Sequence, residues 1–174
     1  MDAAKDKAAR LMLMGFDVDG VLTDGSLYYS SQGDELKAFS SLDGHGMKML
    51  AGAGIKLAII TGRVSRAVEL RAQNLGIELL LQGVEDKRSA MASLLAGLGL
   101  SFEQAGYMGD DVVDLPLMRA CGFSATVADG HPLLHRHADL VVEKGGGKGA
   151  VREVCEFILS AQGKLGAAME IYLT

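Results

Sequence analysis

Cysteine and proline are scarce, two of each in 174 residues. Cys121 and Cys155 form no CxxC pair, and no His/Cys cluster has metal spacing, which excludes a structural zinc site. Both sit in apolar context, the usual setting of buried thiols, and this usage fits a reducing compartment. Pro116 and Pro132 stand apart, and no Ser/Pro/Gly-rich linker, repeat or low-complexity segment appears. The chain therefore reads as one domain over residues 1–174. Basic runs are also missing. Lys and Arg number 17 against 22 Asp and Glu, a formal net charge of −5. That balance argues against a binder of nucleic-acid backbones. It leaves room for an anionic small substrate, because a local basic pocket can sit on an acidic protein. Long apolar runs are absent too. The longest uncharged stretch, SAMASLLAGLGLSF (89–102), is too short and too glycine-broken to span a bilayer. The N-terminal run LMLMGF is cut by Asp17 and is no signal peptide. A cytoplasmic protein without membrane or nucleic-acid partners is expected.

What is present is a large apolar fraction, 49%, with 22% charged residues, enough for a sizeable core. Short apolar runs at 11–18, 56–61, 77–82, 105–109, 123–128 and 138–143 read as strands. Helix-like stretches alternate with them at 43–54, 64–76, 85–99, 111–122 and 148–164; the last has apolar residues at helical spacing at 151, 154, 155, 158 and 159. Near-continuous apolar strands alternating with helices predict an α/β, Rossmann-like, three-layer fold with a mostly parallel sheet. Residues 26–41 break the alternation. SLYYSSQGDELKAFSS reads as strand, turn and strand, a β-hairpin inserted after the first strand. In an open α/β sheet such a hairpin overhangs the crevice at the strands' carboxyl ends.

Those ends collect reactive groups. The first strand runs into Asp17 and Asp19 of FDVDG, and the second into Thr61, Gly62 and Arg63. Lys87 opens the helix after the third, and the fourth ends in Asp110 and Asp111, with Asp114 one helical turn on. Clustered carboxylates repel one another, and a hard divalent cation such as Mg²⁺ removes the difficulty by bridging them to a phosphate. Thr61 and Lys87 suit phosphate oxygens. An aspartate can attack phosphorus, and a second carboxyl two residues on can protonate the leaving alcohol and then activate water. A calcium loop starting at Asp17 is excluded, since Val21, Leu22 and Tyr28 fall where Asp/Asn, Gly and Glu are needed. Singly, each element has a plainer reading: a solvated turn, a helix cap or a surface lysine. Their order at four successive strand ends favours the chemical one. GGGKG (145–149) before a helix is open between an anion cradle and a plain loop.

DVDGVLTDG, TGR, a lone Lys and GDDVVD together resemble the four motifs of the haloacid dehalogenase (HAD) superfamily. GDELKAF, LDGHGMKML, IITGR, QGVEDK, YMGDDVVDLPLM, VADGHPLL and GGGKGAVREVCEFIL further resemble blocks of its small-cap 3-deoxy-D-manno-octulosonate 8-phosphate (KDO 8-phosphate) phosphatase family, across roughly residues 12–165. The resemblance implies an Mg²⁺-dependent phosphatase of a sugar-acid phosphate in lipopolysaccharide precursor synthesis. It implies Asp17 as the nucleophile that becomes phosphorylated and Asp19 as the acid/base. Thr61 and Lys87 would hold the phosphoryl group. Asp17, the Asp19 carbonyl and Asp110 would be metal ligands, with Asp111 and Asp114 behind them. Gly62, Arg63 and Arg71 would contact substrate; the spacing of eight places both arginines on roughly one helical face, toward one mouth. It also implies a homotetramer in which the hairpins meet centrally and a neighbour closes each site, with the tail (163–174) approaching it. Exposed Leu27, Tyr28, Tyr29, Leu36 and Phe39 on a marginal hairpin would themselves want a partner. Leu42 and His45 depart from the basic and aromatic residues that relatives often carry there, so the role of His45 stays open. Two neighbouring readings share the motifs: a phosphatase of nine-carbon acids (KDN 9-phosphate) or of sugar phosphates broadly, and a catalytically silent oligomerisation module. Relatives acting on the nine-carbon acids tend to carry Glu where Arg63 stands.

Overall fold

The computed structural model describes residues 2–173. Its centre is β1 (Leu13–Phe16), buried along its whole length. β4 (Lys56–Ile60) and then β5 (Leu79–Leu81) lie on one side of it. β6 (Ala105–Gly109), β7 (Phe123–Thr126) and β8 (Leu140–Val141) follow on the other, and every pairing is parallel. The chain thus works outward from β1 in one direction and then returns to start in the other. In such a sheet the strand order reverses beside the first strand, and the crevice opens there at the carboxyl ends. β2 (Tyr28–Tyr29) and β3 (Glu35–Leu36) form the separate antiparallel hairpin, shorter than its sequence pattern suggests.

Both faces of the sheet are covered, as near-continuous apolar strands require. One core cluster takes Met14 and Phe16 of β1 together with α1 (Asp2–Ala8), α2 (Ser41–Gly52), α3 (Arg66–Leu75) and α7 (Ala150–Ala161). The other takes Leu13 with α4 (Lys87–Leu98), α5 (Leu115–Ala120) and α6 (Pro132–His135). The α/β, three-layer, mostly parallel reading is borne out. The apolar stripe of α7 is buried at Val151, Val154, Cys155, Ile158 and Leu159, each aliphatic side chain contributing on the order of 1.5–3 kcal/mol when fully buried.

Local chemistry sets the boundaries. Ser40 caps α2, accepting a bond from the Asp43 amide at 3.3 Å, so this helix begins before residue 43. Asp86 caps α4 through the Ser89 amide at 3.0 Å, and Gly99, at φ 66°, ends it. The helix expected over 111–122 divides into a 3-10 turn, Val112–Asp114, and α5, with Pro116 in the first turn of α5. The helix expected over 148–164 stops at Ala161, and after Gly163, at φ 68°, the short α8 (Leu165–Glu170) packs back on the same core. α1 and α6 fall where no helix is predicted. Cys155 is fully buried and Cys121 half-buried; burial pushes the Cys121 thiol to about 12 and Cys155 higher still, which favours the protonated thiol at both. Among the described residues no helix is long and apolar enough to cross a membrane.

Candidate active site

The β1–β6 pairing continues one residue past the strand, with the Asp17 amide donating to the Met108 carbonyl at 3.0 Å. The chain then turns tightly. The Val18 carbonyl accepts from the amides of Val21, Leu22 and Thr23 at 3.2, 2.9 and 3.0 Å. Gly20 sits at φ 87°, and a Cβ there would strike the Asp110 carboxylate, so this turn requires glycine twice over. The turn thereby aims Asp17 at the loop that leaves β6.

That loop delivers Asp110 and Asp114. Asp114 is fully buried and heavily bonded. It accepts from Lys87 Nζ at 2.7 Å, the Tyr107 hydroxyl at 3.2 Å, and the Asp110 and Asp111 amides at 3.0 and 3.4 Å. Lys87, first residue of α4, lies 2.9 Å from Asp17 Oδ1. One carboxylate oxygen from each of Asp17, Asp110 and Asp114 falls within 4.8 Å of the others. Tyr107 fits beneath because Gly15 on β1 has no side chain: a Cβ there would sit 2.9 Å from the Tyr107 ring.

One ammonium cannot balance three carboxylates. Burial, and then the charge of Asp114, raise Asp17 to about 6 against the pull of Lys87. Burial, and then Asp17 and Asp114, raise Asp110 to about 7. Burial alone would lower Lys87, but the two carboxylates outweigh it and raise it. Burial and the charges of Asp114 and Asp17 push the Tyr107 hydroxyl well above its ordinary value. Hard oxygen donors, close together and short of positive charge, fit a small divalent cation.

Thr61 lies buried at the end of β4, its amide bonded to the Leu81 carbonyl at 3.0 Å. Its hydroxyl makes no hydrogen bond within the described residues. Gly62 has an ordinary backbone, and a Cβ there would meet only the Val84 carbonyl at 3.6 Å. Asp111 turns outward and caps the following turn, accepting from the Val112 amide at 2.7 Å. Asp19 is not a member of this cluster and is held from the hairpin's side. Its Oδ1 pairs with Lys37 of the hairpin and its Oδ2 lies 3.6 Å from Arg63 Nε.

The two arginines are not on one helical face. Ser65, in extended conformation (φ −146°, ψ 127°), precedes α3, so Arg63 lies in the loop before it. Arg63 reaches Glu35 at 3.0 Å and the Tyr29 hydroxyl. Arg71, within α3, donates to the Ser40 carbonyl at 2.9 Å and lies 5.7 Å over the Phe39 ring. One grips the hairpin's strands and the other its base.

The glycine loop is not an anion cradle. The Gly146 amide donates to Asp129 Oδ1 at 3.0 Å and the Gly147 amide to the Val21 carbonyl at 2.9 Å. The Lys148 amide donates to the Gly145 carbonyl at 3.2 Å and the Gly149 amide to buried Asp43 at 3.2 Å. The glycines instead allow close backbone approach: a Cβ on Gly146 would strike the Gly20 carbonyl and lie 2.7 Å from the Thr23 carbonyl. The loop braces the turn that carries Asp19. His45 meets Tyr172 of the tail edge-on at 5.3 Å, beside a cavity of about 510 Å³ between α2 and α8 that no candidate site residue lines. Sequence reasoning missed Lys37, Glu35, Tyr107, Asp43 and Asp129.

The parallel sheet and its strand-end constellation define a HAD-like hydrolase, and residues 78–153 match the haloacid dehalogenase-like hydrolase family model. The chain is 48% identical over 162 residues to the 3-deoxy-D-manno-octulosonate 8-phosphate phosphatase of Escherichia coli (strain K12), across 93% of this chain and 86% of that one. A probable phosphatase of Pseudomonas syringae pv. phaseolica superposes with a TM-score of 0.98 at 48% identity, over 100% of this chain and 99% of the other. The Moraxella catarrhalis 3-deoxy-D-manno-octulosonate 8-phosphate phosphatase, solved with magnesium, phosphate and KDO, gives 0.97 at 43% identity, over 99% of each chain. The chain belongs to the KDO 8-phosphate phosphatase family of the HAD superfamily.

Proposed function

We propose that the protein hydrolyses KDO 8-phosphate to KDO and phosphate, with Mg²⁺, as a step of lipopolysaccharide precursor synthesis in the cytoplasm. The observation that carries this is Lys87 held between Asp17 and Asp114 at 2.9 and 2.7 Å, with Asp110 completing a charge-deficient carboxylate cluster. Asp17 is the nucleophile. One of its oxygens bonds to phosphorus as the ester P–O bond breaks, and Asp19 gives a proton to the departing alcohol oxygen. Asp19 then takes a proton from water, whose oxygen attacks phosphorus, releasing phosphate and restoring the Asp17 carboxylate. Thr61 and Lys87 hold the transferring oxygens and oppose their charge. Asp17, the Asp19 carbonyl and Asp110 would hold the cation, with Asp114 behind them, while Asp111, turned outward, caps the following turn instead. Bound Mg²⁺ supplies the positive charge that the carboxylates and phosphate lack.

Gly62 and Arg63 stand beside Thr61 at the mouth and meet the sugar acid; Arg71 serves it through the hairpin's base. The hairpin leaves Leu27, Tyr28, Leu36 and neighbouring Leu42 exposed. That apolar surface supports a homotetramer built on it, and sedimentation near four chains, not one, is expected.

The test is phosphate release with Mg²⁺ from KDO 8-phosphate, KDN 9-phosphate and common sugar phosphates in parallel. Strong preference for the octulosonate is expected. Equal weak rates would keep the Asp17 chemistry and remove the substrate assignment. No release from any, with or without EDTA, would favour a silent module.

A further inference from the structure

The hairpin carries a lysine that its own exposure does not explain. The side chain of Lys37 is 1% exposed, although it follows two-residue strands that are largely solvated. Its ammonium meets Asp19 Oδ1 directly and Glu35 Oε1 at 3.4 Å. Arg63 adds a second cation, 3.0 Å from Glu35 and 3.6 Å from Asp19 Oδ2. Two cations face two carboxylates. A buried ammonium costs several kcal/mol unless it is paired, and a hairpin this small is marginal alone. Asp19 is therefore what seats Lys37. The converse also holds. Among the described residues, Lys37 and Arg63 are the only groups that hold the Asp19 carboxylate, and its own loop gives it no donor. Asp114, by contrast, has four donors from the sheet's end.

We propose that Lys37 is a positioning residue: it fixes the rotamer of Asp19, so that the acid/base is aimed at the leaving oxygen only while the hairpin lies over the crevice. This rests on the reading of Asp19 as acid/base given above. The proton on Asp19 passes to the ester oxygen as the P–O bond to the alcohol breaks. An alkoxide leaves poorly without that proton, whereas p-nitrophenolate leaves readily. Lys37 thus matters in proportion to how much help the leaving group needs.

The experiment compares Lys37→Met and Lys37→Arg with the unchanged enzyme on KDO 8-phosphate and on p-nitrophenyl phosphate, both with Mg²⁺. Lys37→Met should lower kcat on the sugar-acid phosphate by roughly 10²-fold, the lower end of general acid catalysis, with a loss at least tenfold smaller on the aryl ester. Lys37→Arg should recover part of the difference. In metal-free protein, limited proteolysis at residues 30–34 should quicken in Lys37→Met and slow again in Lys37→Arg. Equal losses on the two esters would make Lys37 merely structural and overturn the proposal, as would no loss on either. If the unchanged enzyme released phosphate from neither ester, the reading of Asp19 would fall and this one with it. If the unchanged enzyme turned over the aryl ester but not KDO 8-phosphate, the comparison is made on glycerol 3-phosphate, and equal losses there and on the aryl ester would overturn the proposal.

Discussion

Two charged clusters lie a few residues apart, and they are built on opposite principles. At the ends of β1 and β6, Asp17, Asp110 and Asp114 share a single ammonium, Lys87. At the hairpin, Asp19 and Glu35 share two cations, Lys37 and Arg63. The first is short of positive charge, and its carboxyls shift to about 6 and about 7. The second is balanced by the chain itself. A cation from solution has a place in the first and nothing to offset in the second. The difference separates a charge-deficient cluster that suits a cation from a balanced one that ties the hairpin to the sheet's end.

The largest effect should come from breaking the first cluster at Asp17, its proposed nucleophile. Asp17→Asn keeps the shape and removes the attacking oxygen's charge; turnover should fall by roughly 10⁴–10⁶-fold, the scale of nucleophile removal elsewhere. Circular dichroism should show the fold retained, and near-normal turnover would remove Asp17 from the role.

Asp110→Asn should cost activity and Mg²⁺ affinity, yet stabilise the metal-free protein. The folded carboxyl, at about 7, lies above its ordinary 3.8, so folding disfavours its charged form. Stability contributed this way is complete below about pH 4 and lost as pH rises through about 7. The substitution should flatten that fall. Tm at pH 8 without metal should rise by several degrees, at about 2–4 °C per kcal/mol, with no gain at pH 4. Melting curves with EDTA decide it, and an unchanged or lower Tm at pH 8 would show the cluster to be relieved by other means.

The smallest effect belongs to the balanced cluster. Glu35→Gln leaves two cations on Asp19, and because the network is partly solvated its loss should be below about 1 kcal/mol. A large drop in Tm would mean that the hairpin is structural rather than a latch.

The first cluster was legible because its residues follow apolar strands directly. Asp17, Thr61 and Asp110 are each the residue after a strand, and Lys87 opens a helix behind a capping aspartate. The alternation of strands and helices likewise announced the parallel sheet. The second cluster was not legible. Period-two patterning marks a hairpin but does not say which charged side chain folds beneath it, so Lys37 looked like any lysine. The spacing of Arg63 and Arg71 misled because Ser65, in extended backbone, starts the helix after Arg63. A glycine loop reads the same whether its amides meet an anion or the chain's own oxygens; Asp43 and Asp129, which take two of them, lie 106 and 17 residues away in sequence.

The bond from the Gly147 amide to the Val21 carbonyl joins segments made at very different times. A ribosome emits Asp17 and Asp19 almost at once, and domains begin to fold during synthesis. The turn that carries them nonetheless stays unfinished until residues 145–149 emerge to lie against it. A nascent chain therefore holds its proposed nucleophile long before it can use it. Phosphatase competence should arrive as a late event in translation, with the stretch that ends in α7, and a chain halted before that point should be inert although every proposed catalytic residue is already made.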